Sequence, residues 1–202
     1  MPLWQAAAAL VLASRSAVRR TLLEAAGVAI EVSPADVDER GLEAGAPLQA
    51  PVAIAAMLAR EKALVVDRTK PGRLILGADQ TLSLDGERFT KPADRAAARA
   101  QLRALSGRTH ELYSAVAFVQ DAAVLFDYVG VARLTMRAFS DRFLDAYLDA
   151  VGDAATVSVG AYQIEGLGVQ LFERIDGDYF TVLGLPLTQA LEFLRRQGCL
   201  AQ

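Results

Sequence analysis

Cysteine and histidine are nearly absent from this chain of 202 residues, which contains one of each, Cys199 and His110. A single cysteine excludes a disulfide within the chain and a zinc site built from cysteines. Such sparse cysteine usage favours a reducing compartment. A thiol enzyme would need a histidine to activate its sulfur, but here the two residues are far apart in the sequence. We therefore interpret Cys199 as a buried or tail residue and His110 as a structural or interfacial one.

Excess positive charge and a long hydrophobic run are also lacking. The formal net charge of −3 and the pI near 5.3 argue against a nucleic-acid partner. The apolar stretch at residues 6–13 has no basic residue before it and is much shorter than the roughly twenty residues that span a membrane. We interpret residues 8–13 as a buried strand rather than a leader, and we expect a cytoplasmic protein with no membrane partner.

The apolar patterns of the chain predict an α/β fold. Residues 10–13 and 74–78 are apolar or glycine throughout, as in strands that are covered on both faces. Two longer β-rich stretches, residues 109–119 and 123–139, follow in the middle of the chain. We predict one domain over residues 1–202, with a mixed twisted sheet, flanking helices and two lobes around a central cleft.

Helical periodicity and turn signals complete this prediction. Five segments have the spacing of amphipathic helices: residues 17–26, 52–66, 93–105, 140–150 and 188–196. Residues 34–45 are polar and rich in turn formers, so we predict a loop there. Asp-Gly pairs at residues 85–86 and 176–177 predict two hairpins, and short extended pieces are expected from residue 157 onward.

A polar turn with several arginines follows the first predicted strand and opens a helix. Ser14 and Ser16 stand there beside Arg15, Arg19 and Arg20. The free N–H groups at a helix N-terminus attract anions, and arginine can bind phosphate through two parallel hydrogen bonds. The pattern is equally compatible with an ordinary N-cap at Ser16 and solvated arginines. The chain has no Walker sequence and no G-x-G-x-x-G after a strand, so neither common nucleotide-binding loop applies.

Three further positions are candidates for chemistry. Asp79 follows the predicted strand at residues 74–78, and open α/β sheets place reactive groups at that end of a strand. Its carboxylate could hold a cation, take a proton from water, or simply cap the strand. Lys91 can neutralise phosphate charge, and the glycines of residues 160–166 either admit a ligand close to the backbone or only form turns. We interpret Tyr162, within that segment, as a core aromatic.

The short motifs of the chain occur in an order that resembles a known family. In sequence they are Leu-Ala-Ser-x-Ser at 12–16, Asp-Val-Asp-Glu at 36–39, Glu-Lys-Ala at 61–63, Gly-Ala-Asp-Gln at 77–80, Lys-Pro at 91–92, Leu-Ser-Gly-Arg-Thr-His-Glu at 105–111, Gly-Ala-Tyr at 160–162 and Val-Leu-Gly-Leu-Pro-Leu at 182–187. From residue 10 to residue 194 the chain resembles the Maf-type nucleoside triphosphate pyrophosphatases. The resemblance implies hydrolysis of a nucleoside triphosphate to the monophosphate and pyrophosphate with a divalent cation, Mg2+ or else Mn2+ or Co2+. It also implies a homodimer.

The resemblance assigns roles to individual residues. Asp79 matches the presumed general base, and we expect it to hold the cation together with Glu39. The positions that match the triphosphate contacts of the family are Ser14, Arg19, Arg20, Lys62 and Lys91. Lys62 and Lys91 are expected to act in catalysis with Asp79, since positive charge would offset the negative charge that grows on the pyrophosphate leaving group.

Three positions that separate the subgroups of the family correspond here to Val18, Gln80 and Glu165. The subgroup that acts on dTTP and UTP resembles Arg, Thr and Gln at these positions, and the subgroup that acts on 7-methyl-GTP resembles Trp, Gln and Glu. Gln80 and Glu165 agree with the second subgroup. Val18 departs from it, because valine lacks the aromatic face that would stack on a cationic methylated base. The usual proline of the family is also replaced, by Ala17.

The chemistry of Glu165 supports a guanine-type base. An ionised carboxylate accepts hydrogen bonds only, so it suits the N1–H and amino group of guanine and would repel the carbonyl oxygens of thymine and uracil. We therefore expect 7-methyl-GTP or another modified nucleotide as substrate, in a role of nucleotide-pool surveillance. The alternatives are a dTTP/UTP pyrophosphatase of the same family and a nucleotide-binding regulator of cell division without turnover.

Overall fold

The framework of the fold is a seven-stranded mixed sheet, seen in a computed structural model that describes residues 2–46 and 49–201. The strands are β1 (Leu10–Leu12), β2 (Ile30–Val32), β3 (Ile75–Leu84), β4 (Glu87–Phe89), β5 (Thr109–Gln120), β6 (Ala123–Met136) and β7 (Phe172–Asp176). Their order is β2-β1-β3-β5-β6-β7, with β4 paired to β3. β1 is parallel to β2 and β3, whereas the β3–β4 and β6–β7 pairs are antiparallel. The predicted α/β class with a mixed sheet is confirmed.

Helices flank this sheet. They are α1 (Ala17–Ala25), α2 (Glu39–Gly45), α3 (Pro51–Asp67), α4 (Arg95–Leu105), α5 (Asp141–Val151), α6 (Tyr179–Val182) and α7 (Leu187–Arg196). The five helices predicted from periodicity are all present, with ends shifted by a few residues at most. In the described ranges, no helix is both long enough and apolar enough to span a membrane.

The chain divides into two compact units. The first unit contains the residues up to 80, residues 114–130 and the residues from 178 onward, and the second contains residues 81–113 and 131–177. The arrangement of two lobes around a cleft stays a prediction from the sequence.

The hydrophobic core of the first unit fixes the strands that carry the site. β1 and the first part of β3 are buried, as their uninterrupted apolar sequences predict. Phe118 of β5 packs against Phe193 of α7 with ring centroids 4.5 Å apart, and Phe126 stacks on Phe193 at 5.1 Å. Phe118 and Phe193 belong to the same buried cluster as Leu12 and Leu76, and the partly buried Phe126 packs against it, so β1 and β3 meet in a close-packed environment.

Two predictions from turn-forming residues are wrong. The segment at residues 34–45 contains helix α2, whose N-cap Asp38 accepts a hydrogen bond from the backbone N–H of Gly41 at 3.0 Å. This helix has seven residues and none of them is buried, so it has no hydrophobic periodicity to reveal it. The Asp-Gly pair at residues 176–177 does not form a hairpin, because Asp178 caps helix α6 by accepting from the N–H of Thr181 at 2.8 Å.

The region from residue 157 onward also differs from the prediction. Before residue 172 it contains, in place of extended pieces, turns of 3-10 helix at Val159–Ala161 and Leu167–Leu171, whereas Phe172–Asp176 is extended as predicted and forms β7. Gly160 has a positive φ of 79°, and a Cβ at this position would lie 2.7 Å from a methyl group of Leu82. The glycine therefore permits both the turn and its contact with β3, neither of which a strand pattern would reveal.

Candidate active site

Asp79 lies inside a strand and not at its carboxyl end as the sequence predicted. β3 continues through Asp79 as one ten-residue strand to Leu84, which merges the predicted strand at residues 74–78 with the first arm of the predicted hairpin. The reason is that the polar residues at 79 and 80 interrupt the apolar run without interrupting the backbone pairing. Asp79 is therefore buried within a strand of the first unit.

Helix α3 packs closely on β3 at Gly77, and this contact brings Lys62 to Asp79. A Cβ on Gly77 would collide with the backbone carbonyl oxygen of Ala59 and would lie 2.8 Å from the backbone nitrogen of Ala63. Only glycine permits this approach of helix to strand. One turn of α3 therefore packs directly on Gly77, two residues before Asp79 in β3.

Lys62 links the two carboxylates of the site. Its Nζ lies 2.7 Å from Oδ1 of Asp79 and 2.7 Å from Oε1 of Glu39, so the two carboxylate oxygens are within twice that distance of each other. The side chains of Lys62 and Asp79 are only 13% and 11% exposed, whereas that of Glu39 is 50% exposed. The Lys62–Asp79 pair is therefore largely shielded from solvent, whereas Glu39 is the solvent-exposed member of the cluster.

Burial raises the pKa of the Asp79 carboxyl above its usual 3.8. The positive charges of Lys62 and Arg19 oppose this shift, and the negative charge of Glu39 adds to it. A carboxylate with a raised pKa is a better proton acceptor than an ordinary aspartate. Its Oδ1 is engaged by Lys62, while Oδ2 has no hydrogen bond within the described part of the chain.

Glu39 owes its position to helix α2, which the sequence analysis missed. It is the first residue of that helix, directly after the N-cap Asp38. The capped first turn fixes the backbone at Glu39, and α2 lies against α3, the helix that carries Lys62. The motif at residues 36–39 therefore contributes both the helix cap and the carboxylate that reaches Lys62.

Arg19 is fixed by three hydrogen bonds. Its Nη1 donates to Oγ of Ser14 at 3.1 Å and to the carbonyl of Ala78 at 2.9 Å, and its Nε donates to the carbonyl of Gly184 at 2.8 Å. The two N–H groups of Nη2 make no hydrogen bond among the residues that the structure describes. Burial lowers the pKa of the guanidinium below its usual value, with Asp79 and Glu39 opposing the shift, and arginine stays protonated in proteins. The guanidinium is therefore fixed in orientation, and its Nη2 remains available to a ligand.

The other residues of the predicted phosphate-binding turn are arranged differently. Ser16 caps α1 by accepting from the N–H of Arg19 at 3.3 Å, as one of the two sequence interpretations expected. Arg20 is exposed and forms an ion pair with Glu24 at 2.9 Å, while Val18 is half-buried. Arg15 is exposed and has no ion pair or hydrogen bond in the described ranges. The structure thus brings Ser14 and Arg19 to the cluster around Asp79, and it pairs Arg20 with its own helix.

Gln80, the neighbour of Asp79 in β3, is held by a network that sequence reasoning did not foresee. Its Nε2 donates to Oγ of Ser114 at 3.0 Å and to the carbonyls of Val182 at 3.0 Å and Thr181 at 3.3 Å. The Ser114 hydroxyl in turn donates to the carbonyl of Thr181 at 2.7 Å. The motif at residues 182–187 includes Val182 and so points to this network, but the resemblance assigns that motif no role.

Lys91 and Glu165 belong to the second unit. Both side chains are exposed, and neither makes a hydrogen bond or ion pair within the described residues. Glu165 lies in a turn that is closed at Gly168, where a Cβ would collide with the carbonyl oxygen of Gln163. Their roles in catalysis and base recognition stay predictions from the resemblance.

His110 and Tyr162 form a buried pair in the second unit. Nε2 of His110 and the hydroxyl of Tyr162 are 2.7 Å apart, and both rings pack against Phe172. Burial lowers the pKa of His110 to about 4, so the imidazole is neutral at physiological pH. This environment agrees with the packing roles that the sequence suggested. Cys199 is a free, partly buried thiol, whose pKa burial raises.

The donor set around Asp79 fits a hard divalent cation. Mg2+ binds through one or two protein carboxylates and completes its shell with water and substrate phosphate oxygens. Glu39 and Asp79 supply such a pair of oxygens, brought together by Lys62. Across the described residues, no group of three or more His, Cys, Asp and Glu could form a site built of protein ligands alone. A cation at this cluster would therefore need ligands from water or from a bound ligand in addition to Glu39 and Asp79.

An α/β sheet that carries an arginine fork, a buried lysine and two carboxylates is typical of a protein that handles phosphorylated ligands together with a cation. Comparison with known proteins gives the family: the Maf-like protein profile matches residues 9–197, and the chain belongs to this family. The resemblance noted in the sequence is thereby confirmed.

Several curated relatives are similar over their full length. A Rhodopseudomonas palustris protein named nucleoside triphosphate pyrophosphatase is 57% identical over 100% of both chains. A Bradyrhizobium diazoefficiens protein of the same name is 54% identical, also over 100% of both. A Mesorhizobium japonicum protein named 7-methyl-GTP pyrophosphatase is 52% identical over 95% of this chain and 97% of that relative.

Proposed function

We propose that this chain hydrolyses nucleoside triphosphates at the α-phosphate, releasing a nucleoside monophosphate and pyrophosphate, and that it prefers a guanine-type base such as that of 7-methyl-GTP. The observation that carries the proposal is the cluster of Asp79, Lys62, Glu39 and Arg19 in the first unit. Family membership and the names of the relatives support the reaction. The name of the Mesorhizobium relative, with Gln80 and Glu165, supports the base.

Asp79 orients and deprotonates the attacking water in this proposal. Its free Oδ2 accepts the proton, while Oδ1 remains bound to Lys62. The water oxygen then bonds to the α-phosphorus, and the bond from that phosphorus to the bridging oxygen of the β-phosphate breaks. Positioning and charge neutralisation supply most of the rate enhancement in such reactions.

Cationic groups stabilise the charge that moves onto pyrophosphate. The two free N–H groups of Arg19 and the ammonium of Lys62 bind phosphate oxygens, with Ser14 fixing the arginine. Lys91 and Arg20 contribute further positive charge, Arg20 after exchanging Glu24 for phosphate. A divalent cation held by Glu39 and Asp79, with Mg2+ proposed before Mn2+ or Co2+, supplies additional neutralisation when it is bound.

A panel of nucleoside triphosphates tests the reaction and the base together. Pyrophosphate release is measured with GTP, 7-methyl-GTP, ATP, UTP and dTTP for the wild type and for Asp79→Asn, and nucleotide binding is measured for both. We expect pyrophosphate release to be fastest with the guanine nucleotides. The Asp79→Asn variant should still bind nucleotide but lose turnover. Asp127→Asn is a matched control, because Asp127 is an exposed carboxylate paired with Arg60 outside the cluster.

Each competing function has its own outcome in the same experiment. Binding without pyrophosphate release by the wild type would indicate the regulator of cell division. Faster pyrophosphate release from UTP or dTTP than from the guanine nucleotides would indicate the dTTP/UTP subgroup and would contradict the role of Glu165. The Glu165→Gln variant tests that role separately. Dependence of turnover on added Mg2+ after chelation tests the cation. The molecular mass of the protein in solution tests the homodimer that the resemblance implies.

A further inference from the structure

The Gln80 carboxamide has a single orientation that its partners permit. Three acceptors surround its nitrogen: the carbonyl oxygens of Thr181 and Val182 and the hydroxyl oxygen of Ser114. A carbonyl oxygen cannot donate a hydrogen bond, so the amide oxygen of Gln80 cannot replace the nitrogen there without repulsion. The two hydrogens of Nε2 are consumed by these contacts.

Ser114 completes this arrangement from the neighbouring strand β5. Its side chain is fully buried, and its hydroxyl donates to the Thr181 carbonyl at 2.7 Å. With its hydrogen directed there, the hydroxyl oxygen offers only lone pairs to Gln80. Thr181 is itself fixed, since its carbonyl also accepts from the N–H of Gly184 at 3.0 Å. The orientation of Gln80 is therefore set by groups that cannot rotate to suit a flipped amide.

The opposite end of the carboxamide, the oxygen Oε1, lies beside Gly184. A Cβ on Gly184 would lie 3.5 Å from Oε1 of Gln80 and 3.5 Å from Nη2 of Arg19. Oε1 of Gln80 and Nη2 of Arg19 make no hydrogen bond within the described residues, and neither is among the buried polar atoms that lack a partner, so both atoms keep some exposure to solvent. Gln80 presents an acceptor to whatever binds there.

We propose that Ser114 is a positioning residue that fixes Gln80 with its amide oxygen toward the base, and that the enzyme thereby selects bases with an N–H at the centre of the Watson–Crick edge. Guanine and hypoxanthine carry that N–H at N1, whereas adenine carries an acceptor at the same position. In this proposal Gln80 takes the N1–H of guanine and leaves the amino group to Glu165, which also rejects uracil and thymine, whose N3–H alone would satisfy Gln80. An acceptor on Gln80 attracts the first two and repels the third. This inference rests on the proposed function, in which Gln80 contacts the base.

The test is the ratio of kcat/KM for GTP or ITP to that for ATP in Ser114→Ala. Ser114→Ala removes one of the three hydrogen bonds that hold Nε2 and so weakens the preference for this orientation, and we expect the ratio to fall roughly three- to tenfold. Ser114→Thr, which retains the hydroxyl, should restore it. Ser83→Ala is the matched control, because Ser83 is a buried serine of β3 that is not among the partners of Gln80. Thermal unfolding of each variant establishes that it is folded.

A double-mutant cycle separates positioning from a general structural effect. If Ser114 acts through Gln80, then Ser114→Ala changes the ratio in the wild type and leaves it unchanged in a Gln80→Ala background. An unchanged ratio in the single variant, or the same change in both backgrounds, overturns the proposal. The ratio of Kd values for the same nucleotides is measured in parallel. It tests Ser114 even if the wild type releases no pyrophosphate, an outcome that would contradict only the proposed function.

Discussion

Lys62 determines how the charges of the candidate site balance. Its ammonium lies 2.7 Å from both Asp79 and Glu39, and its side chain is almost as buried as that of Asp79. Without it, two carboxylates would face each other next to a low-dielectric interior, and the pKa of Asp79 would rise further. The lysine is thus expected to keep the base ionised as well as to bind phosphate.

Lys62→Met should show both roles in one pH profile. A base acts only when it is ionised, so activity should rise with pH through the raised pKa of Asp79. In the variant this rise should move to higher pH, and the plateau should be lower by about a hundredfold or more because a charge-stabilising donor is lost. Steady-state pyrophosphate release between about pH 5 and 9 measures both effects.

Lys70→Met is the control for this variant. Lys70 also forms an ion pair at 2.7 Å, with Glu31, but this pair involves neither Asp79 nor Glu39. Its profile should coincide with that of the wild type. A Lys62→Met profile that also coincides with the wild type would remove Lys62 from the account.

At the scale of elements, the packing of α3 on β3 is what assembles the cluster. The contact depends on Gly77, where any Cβ would collide with the carbonyl oxygen of Ala59. A displacement of α3 there would carry Lys62 away from Asp79. Stability and activity should therefore fall together when this position is filled.

Gly77→Ala tests this dependence. Forcing a methyl group into a packed helix–strand contact costs about 1–3 kcal/mol, which denaturant unfolding would measure as a lower free energy of unfolding. Gly45→Ala is the control, because a Cβ at Gly45 would have no neighbour within 4 Å among the described residues and the φ of Gly45 is not positive. Equal stability of the two variants would contradict the close packing inferred at Gly77.

The elements that sequence patterns predicted are those that bury a regular apolar face. β1 and the helix α3 were predicted for this reason, and the turn between β5 and β6 was also located correctly. Helix α2 buries nothing, so only its cap at Asp38 could have revealed it. The continuation of β3 past Asp79 escaped prediction because a buried charge in a strand is tolerated only with partners from elsewhere in the chain.

The candidate site was predictable as a set of residues but not as a geometry. The ordered motifs pointed to Asp79, Lys62 and Arg19, and these residues do come together in one unit. The hydrogen bonds that orient them come from backbone carbonyls, such as those of Ala78 and Gly184 on Arg19. Every residue has such a carbonyl, so residue identity alone cannot indicate which of them serve the site.

At the scale of the whole molecule, the buried His110 links stability to pH. Its folded-state pKa of about 4 is below the ordinary 6.5, because burial favours the neutral ring. The stabilisation from keeping it neutral is therefore complete above about pH 6.5 and is lost as pH falls through about 4. Tyr162, its hydrogen-bond partner, does not titrate in this range, since burial raises its pKa.

His110→Gln should flatten this dependence. One proton taken up on unfolding contributes a slope of at most about 1.4 kcal/mol per pH unit, and glutamine removes that proton. The free energy of unfolding of the variant, measured between pH 4 and 7 by urea denaturation, should be lower at pH 7 and should fall less steeply toward acid. Parallel curves for the variant and the wild type would show that His110 does not titrate as described.

Hydrolysis in water enriched in oxygen-18 tests the central claim most directly. If water activated by Asp79 attacks the α-phosphorus, mass spectrometry will find the label in the nucleoside monophosphate and none in pyrophosphate, and Asp79→Asn will suppress both products. Label in pyrophosphate, or release of nucleoside diphosphate and orthophosphate, would contradict the account.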